Sequence, residues 1–309
     1  MQDSAFAALP SLSFPAMAGT LQPHLADISL EKTSMTTFRF AAVGDNCIDR
    51  FRRSGPQASG SRSFVGGNAV NVAVQLARLD QVSFYFGAVG PDEAGRHTRR
   101  LLSENGVDVA HLQVRPGVTA YTEIETLASG DRVFVHEDFG VCAGYRPDAD
   151  DIAVLKTMNH VHIGWMDDGG TLRRTLAAAG VSVSQDISVN ADPANLGTDG
   201  LSIAFASAGD DDAVCETLLK RLLGEGVPLA VVTRGSKGSV ASDGGTRTEA
   251  GIRPVDVVDT TGAGDSFIAG FLVARIAGLP LAACLAAGRD RAALTCTHLG
   301  GFPQEPQPL

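Results

Sequence analysis

The stretch Asp259-Thr260-Thr261-Gly262-Ala263-Gly264-Asp265-Ser266-Phe267 is where residue types and spacing point most directly to chemistry. Gly262, Ala263 and Gly264 carry little or no side chain, so their backbone N–H groups can approach an anion closely. The apolar spacing Phe267, Phe271, Ala274 then reads as a helix, whose N-terminus adds its positive dipole end. Such a turn stabilises developing phosphate charge. Asp265 falls at the helix start, where a carboxylate can accept the proton of an attacking hydroxyl. A bare G-x-G-D would read instead as an aspartate N-cap on a glycine turn; the full nine-residue string favours the base.

Two further strings carry polar groups at useful spacing. Gly66-Gly67-Asn68-Ala69-Val70-Asn71-Val72-Ala73 sets two glycines before a helix and puts Asn68 and Asn71 three apart on one face, as amides that bind hydroxyls would be; the plainer reading is an N-cap Asn68 and a solvated Asn71. Gly44-Asp45-Asn46-Cys47-Ile48-Asp49 ends the first strand in acids and an amide, groups able to bind sugar hydroxyls. His160 and His162 alternate around Val161, but two side chains on one strand face make an incomplete metal site, and a core or edge role is expected. Trp165, Met166, Asp167 and Asp168 follow that strand at the end where ligands of parallel sheets bind.

The elements that must position these groups follow a βαβ rhythm. Apolar runs at 38–43, 82–88, 160–163, 181–186, 203–206 and 229–233 read as strands; 68–79, 96–105, 172–179 and a segment through Leu223 read as helices. A doubly wound, mostly parallel α/β sheet is predicted. The rhythm breaks over 51–64 and 111–141, which read as an inserted small β-sheet. Within it, 119–127 and 132–139 flank Ser129-Gly130-Asp131 as a hairpin. The two-residue period puts Tyr121, Glu123, Glu125 and Leu127 on one face and Ala120, Thr122, Ile124 and Thr126 on the other. Such a sheet could cover a polar ligand with its polar face, or pack as an ordinary edge sheet. Residues 1–36 show neither period and are expected to form a disordered extension, and 304–309 a C-terminal tail, leaving 37–303 as the folded unit.

Composition narrows the classes. The 309 residues are 44% hydrophobic and 19% charged, which excludes wholesale disorder, and a net charge of −10 leaves no global positive field for nucleic acid or an anionic membrane. Five scattered cysteines without a C-x-x-C suit a reducing, cytoplasmic setting. The most apolar stretch, 268–287, is interrupted by Arg275 and Gly278-Leu279-Pro280, so two helices joined by a turn are expected instead of a membrane span. No G-x-G-x-x-G follows the first strand and no G-x-x-x-x-G-K-[ST] occurs, which sets aside dinucleotide-dependent dehydrogenases and P-loop enzymes.

Gly66 to Ala73 and Asp259 to Phe267 resemble the two signatures of the ribokinase-like, or PfkB, carbohydrate kinases. With Gly44 to Asp49 and Val231-Val232-Thr233-Arg234-Gly235-Ser236-Lys237-Gly238, the resemblance runs in order over about residues 38–303. It implies a Rossmann-like core with a small β lid, ATP with Mg²⁺, and transfer of the γ-phosphoryl group to a hydroxymethyl group of a sugar or sugar derivative. It implies Asp265 as base, an anion hole of amides from Gly262, Ala263, Gly264 and Asp265, and acceptor contacts from Asp49, Gly67 and Asn71. Thr233, Gly235 and Gly238 would line the ATP site, with Lys237 adding charge; Asp259 and Thr261 fall where relatives bind a monovalent cation such as K⁺, largely through carbonyls.

The sequence departs from the family at the magnesium-linked N-x-x-E, aligned here with Ser207-Ala208-Gly209-Asp210, and at D-x-N-x-R, aligned with Asp186-Ile187-Ser188. Mg²⁺ binds through few protein groups, so the acids Asp210, Asp211 and Asp212 can still serve it, or merely start a solvated helix. Within the family, Gly44 to Asp49, Gly66 to Val74, Asp131 to Phe134 and Phe205 to Ala208 resemble bacterial fructoselysine 6-kinases. Lid acids Glu123, Glu125, Glu137 and Asp138 would complement a fructosamine ammonium. Simple ketoses and related sugars such as fructose, ribose or 2-keto-3-deoxygluconate are the alternative acceptors, and a sugar or nucleotide sensor without turnover the alternative class. An exposed lid edge would suit pairing into a homodimer.

Overall fold

The computed structural model describes residues 36–53, 62–126, 132–190 and 192–308. Of the expected extension, residues 1–36, all but Thr36 lie outside them, as does the turn at Ser129-Gly130-Asp131.

The main sheet is built from β1 (Arg39–Val43), β4 (Val82–Val89), β5 (Leu112–Val114), β8 (His160–Ile163), β9 (Val183–Asp186), β10 (Ile203–Ser207), β11 (Ala230–Thr233), β12 (Ser239–Ser242) and β13 (Arg247–Ala250). Its order is β13-β12-β11-β10-β9-β8-β1-β4-β5, parallel except at the β12 and β13 edge. Strand alternation divides the core in two. Phe40, Ala42, Phe205 and Val231 face one layer, with Phe267, Phe271 and Leu285; Ala41, Val43, Ala206 and Val232 face the other, with Leu172, Leu176, Leu219 and Leu222. The first layer holds α1 (Asn68–Ala77), α2 (Glu93–Glu104), α6 (Ala263–Ile276) and α7 (Leu281–Thr295); the second holds α3 (Ala149–Leu155), α4 (Thr171–Ala178) and α5 (Asp212–Gly224). Helices α6 and α7 are the two expected within 268–287, and no helix among the described residues is long and apolar enough to cross a membrane.

The small sheet contains β2 (Cys47–Arg53), β3 (Arg62–Gly66), β6 (Tyr121–Thr126), β7 (Arg132–Asp138) and β14 (Gln307–Pro308), in the order β14-β3-β2-β6-β7. The expected hairpin forms, as β6 against antiparallel β7. Three sequence expectations are corrected. The insertion begins at Cys47, so Asp49 sits on the lid and not at the end of the first core strand. Residues 112–114 belong to the main sheet, where they extend β4 in parallel. The C-terminal residues 307–308 pair with β3 and so are no free tail.

Candidate active site

Helix α1 starts directly after Gly67, whose φ of +103° suits glycine and which supplies no side-chain cap. Asp45, in the turn after β1, takes that role from a distance: it accepts hydrogen bonds from the N–H groups of Asn68 (2.8 Å), Ala69 (3.3 Å) and Trp165 (2.9 Å). Burial raises its carboxyl pKa against those three bonds. Asp45 therefore fixes the start of α1 beside the strand ends.

Helix α6 begins at Ala263 with Gly262 as N-cap at φ +73°, so Asp265 is the third helical residue and not the cap. The first intrahelical bond runs from Ser266 N–H to the Gly262 carbonyl, so the N–H groups of Ala263, Gly264 and Asp265 precede the ladder. Ala263 N–H turns back to the Thr260 carbonyl at 3.1 Å, which removes it from the expected anion hole; Gly264, exposed, and Asp265 retain that orientation. Both oxygens of Asp265 are held by α1: Asn68 Nδ2 donates to Oδ1 and Asn71 Nδ2 to Oδ2, each at 2.7 Å. Asn68 Nδ2 also donates to Asp186 Oδ2 at 3.1 Å. Burial pushes the Asp265 carboxyl up to about 8; the amide of Asn71 opposes this, Asp186 and Asp45 add to it, and Asn68 opposes it.

A pocket of ≈ 240 Å³ opens at the carboxyl ends of β9, β10 and β11, bounded by Asp186, Ser188, Ser207, Thr233, Gly264 and Asp265. It thus joins Asp265 and its glycine turn to the strand expected to bind ATP. Beyond Thr233, Gly235 (φ +52°) and Gly238 (φ +90°) make the tight turn into β12; a Cβ on Gly238 would lie 2.0 Å from the Ala250 carbonyl oxygen. Asp210 ties down this turn, accepting from Ser236 N–H (2.8 Å) and its hydroxyl (2.7 Å). Lys237 is paired with Asp212 at 2.8 Å and not free beside the pocket.

Asp259 is buried and also ties a loop. Its Oδ1 accepts from Thr261 N–H (3.0 Å) and hydroxyl (2.9 Å), and its Oδ2 from Gly300 N–H (3.0 Å). Among the described residues, no group of three His, Cys, Asp or Glu side chains is arranged around a metal ion.

The lid brings Asp49 into the electrostatic reach of Asp45 and Asp259. The pairing Asp49–Thr122 and Thr122–Glu137 puts these three on one face, while Glu123 and Asp138 lie on the opposite one. Asp49, at the cleft, has its carboxyl pushed up to about 7 by burial, eased by Cys47 and reinforced by Asp259, Asp45 and Glu137. Glu137 is exposed at the rim, and partial burial and Asp45 raise its pKa. Of the four lid acids expected to meet a cation, Glu137 alone shares the Asp49 face: Glu123 pairs with Arg52 at 3.0 Å, Asp138 accepts from Gly140 N–H at 2.8 Å, and Glu125 alternates with Thr122. The face that carries Tyr121, Glu123 and Glu125 is thus opposite to the one that carries Asp49. Phe139, just past β7, stacks on Trp165 with ring centroids 3.9 Å apart and binds lid to core, while Asp167 pairs with Arg146 at 2.7 Å.

Asn68 and Asn71, expected as hydroxyl-binding amides, instead hold the two oxygens of Asp265. Asp186 carried no expected role, and Asp45 was expected only as a sugar ligand. The signal for Asn68 was its helical spacing from Asn71. Nothing local could reveal Asp45 as a cap, because its partner helix starts 23 residues later.

The model of the pfkB family of carbohydrate kinases matches residues 37–164 and 171–308. The chain is 37% identical over 264 residues to fructoselysine 6-kinase of Escherichia coli K12, a match spanning 85% of this chain and 98% of that protein. It is 31% identical over 270 residues to fructosamine kinase FrlD of Bacillus subtilis 168, across 85% and 93% of the two. The structure of Arabidopsis thaliana ribokinase complexed with ribose and ATP superposes with a TM-score of 0.78 at 22% identity, covering 86% of this chain and 94% of that one, and so shares the fold.

Proposed function

The chain belongs to the pfkB family of carbohydrate kinases and is a sugar phosphotransferase, and from this premise we propose that its acceptor is a fructosamine such as fructoselysine, phosphorylated by ATP on its terminal hydroxymethyl group. The observation that carries the catalytic part is Asp265 itself, a half-buried carboxylate with both oxygens held at 2.7 Å by amides, one residue past an exposed glycine at a helix N-terminus. The acceptor hydroxyl gives its proton to Asp265 as its oxygen bonds to the γ-phosphorus and the bond to ADP breaks. The N–H groups of Gly264 and Asp265 and the α6 dipole stabilise the charge that develops.

Thr233, Gly235 and Gly238 line the nucleotide side and Asp49, Gly67 and Asn71 the acceptor side. Mg²⁺, when bound with the nucleotide, neutralises phosphate charge; Asp210 beside the Gly235 turn would hold it through water, in keeping with the few protein ligands this ion requires. Carbonyls near Asp259 and Thr261 would hold K⁺. The described cysteines are all free, in keeping with a cytoplasmic setting. The outer edge of β7 is where a second subunit would pair.

The deprotonated form of Asp265 carries the reaction. Since its carboxyl is pushed up to about 8, kcat/KM for the acceptor rises about tenfold per pH unit below that value and levels above it. A rate profile flat from about pH 6 to 9 would show that another group takes the proton.

The fructosamine assignment is supported by the two fructosamine-directed relatives and by Glu137, the lid acid on the Asp49 face. A fructosamine differs from fructose by an ammonium and an amino-acid tail. Glu137→Gln is expected to lower kcat/KM for fructoselysine about fivefold to tenfold and to leave that for fructose unchanged, as removal of one partly exposed charge pair implies. A wild-type protein that uses fructose as well as fructoselysine rejects the assignment.

A further inference from the structure

The histidines on β8 remain without a role in this account. Both are fully buried, on the sheet face that carries Phe40 and Phe205, and their rings lie 6.3 Å and 6.1 Å from those of these two phenylalanines. A polar side chain in such surroundings must find partners. Theirs form one continuous chain. His160 Nδ1 lies 2.9 Å from Ser182 Oγ, and His160 Nε2 2.8 Å from Ser184 Oγ. His162 Nδ1 lies 2.9 Å from the same Ser184 Oγ, and His162 Nε2 3.1 Å from Asn68 Oδ1. Asn68 then faces Asp265 and Asp186 through Nδ2.

The direction of every proton follows from the far end. With Asp265 and Asp186 ionised, two carboxylate oxygens converge on one atom of Asn68, which is then the NH₂ group and leaves Oδ1, a pure acceptor, toward His162. His162 must then carry its proton on Nε2. Burial, with His160 adding to it, lowers the pKa of His162 to about 3, so the ring is neutral and its Nδ1 is an acceptor. Ser184 accordingly donates its hydroxyl proton to His162 and accepts from His160 Nε2–H, and Ser182 donates to His160 Nδ1.

We propose that His162, polarised by Ser184, His160 and Ser182, is a positioning residue that locks the Asn68 amide with its hydrogens toward Asp265 and Asp186. A flipped Asn68 would turn its oxygen to Asp265 and favour the protonated acid, which is useless as a base. The lock therefore favours the ionised, reactive form of Asp265 against the burial that opposes it. The acids facing Asp265 are Asp186 and Asp45, both of which disfavour its charge, so the donors from Asn68 and Asn71 are its counterweight. The inference rests on Asp265 as the base, but the tautomer chain does not.

Two measurements separate these. Imidazole ¹⁵N spectra of the unliganded full-length protein are expected to show His160 and His162 as neutral Nε2–H tautomers that do not titrate between about pH 8 and 5. An Nδ1–H His162, or protonation in that range, overturns the lock whatever the enzyme phosphorylates. In kinetics, His162→Phe removes the donor while keeping a ring; kcat is expected to fall about tenfold, with the acid limb moved upward by about half a unit to one unit and the KM for ATP unchanged. His162→Gln, which retains an N–H for Asn68 and an oxygen for Ser184, is expected to restore the limb. A His162→Phe protein with wild-type kcat and pH profile overturns the proposal. If that variant does not fold, Ser184→Ala is expected to move the limb in the same direction, and its failure to do so is equally decisive. Retained turnover in Asp265→Asn would instead remove the base and leave the tautomers standing.

Discussion

Asp265→Asn lowers kcat for phosphoryl transfer by about 10² to 10⁴-fold, the usual contribution of a general base, or roughly 3 to 5 kcal/mol of barrier. The substitution keeps the shape of the side chain, but its single oxygen can accept from only one of Asn68 and Asn71, so the other amide must turn away from its NH₂ group. Its effect on stability has a definite sign. An unfolded chain releases this proton near 3.8, whereas the folded protein holds it to about 8, so between those values the folded state binds more protons. Stability contributed by the neutral acid is therefore full below about 4 and is lost as pH rises toward 8, by up to about 1.4 kcal/mol per unit. Asn stays neutral. The variant is expected to unfold near the wild-type temperature at pH 4 and above it at pH 8 to 9. A variant with near-wild-type kcat ends the assignment of Asp265 as the base; a variant that unfolds earlier at pH 8 than at pH 4, relative to wild type, contradicts the buried raised acid.

Gly262→Ala is expected to be nearly as damaging for a backbone reason. Gly262 has φ +73°, a region that costs an L-residue about 1 to 2 kcal/mol, and a Cβ there would lie 2.3 Å from Gly301 Cα. Since the obstacle is backbone, the turn itself must move and take the N–H groups of Gly264 and Asp265 with it. Loss of one such oxyanion donor costs about 10² to 10³ in kcat. We expect a fall of about a hundredfold, together with a lower Tm. Gly264→Ala is the control for stability, because its Cβ meets no atom within 4 Å and alanine favours a helix. Wild-type kcat and Tm in Gly262→Ala would show that the turn is not the anion hole.

Local chemistry made much of this legible from the sequence. The glycine turn before an apolar helix, the alternating strands of the main sheet and the hairpin of β6 and β7 each depend on residues close together in the chain. What escaped depends on distant pairing. Asn68 and Asp265 are 197 positions apart, and Asn68 and Asp186 118, so the clamp exists only once β1, β8 and β9 are adjacent. The lid face was misjudged for a related reason. Alternation sorted Glu123 from Thr122 correctly, but which face meets the cleft is decided by the parallel pairing of β2 with β6, which aligns Asp49 with Thr122. An irregularity between Glu123 and Ile124 then sets Glu137 opposite Thr122. The histidines read as core residues, and they are buried; their serine partners, Ser184 on β9 and Ser182 just before it, became visible only in the register of the sheet.

We propose that this site moves a phosphoryl group from ATP to a sugar hydroxyl with Asp265 as base. Phosphorus NMR of the full-length protein with ATP, Mg²⁺ and fructoselysine tests it directly, with fructose, ribose and 2-keto-3-deoxygluconate as parallel acceptors. One phosphomonoester of a primary hydroxyl should appear for each ADP formed, fastest with fructoselysine and nearly absent with Asp265→Asn. ATP that binds but stays intact with every acceptor would contradict the account and leave a sensor in place of a kinase.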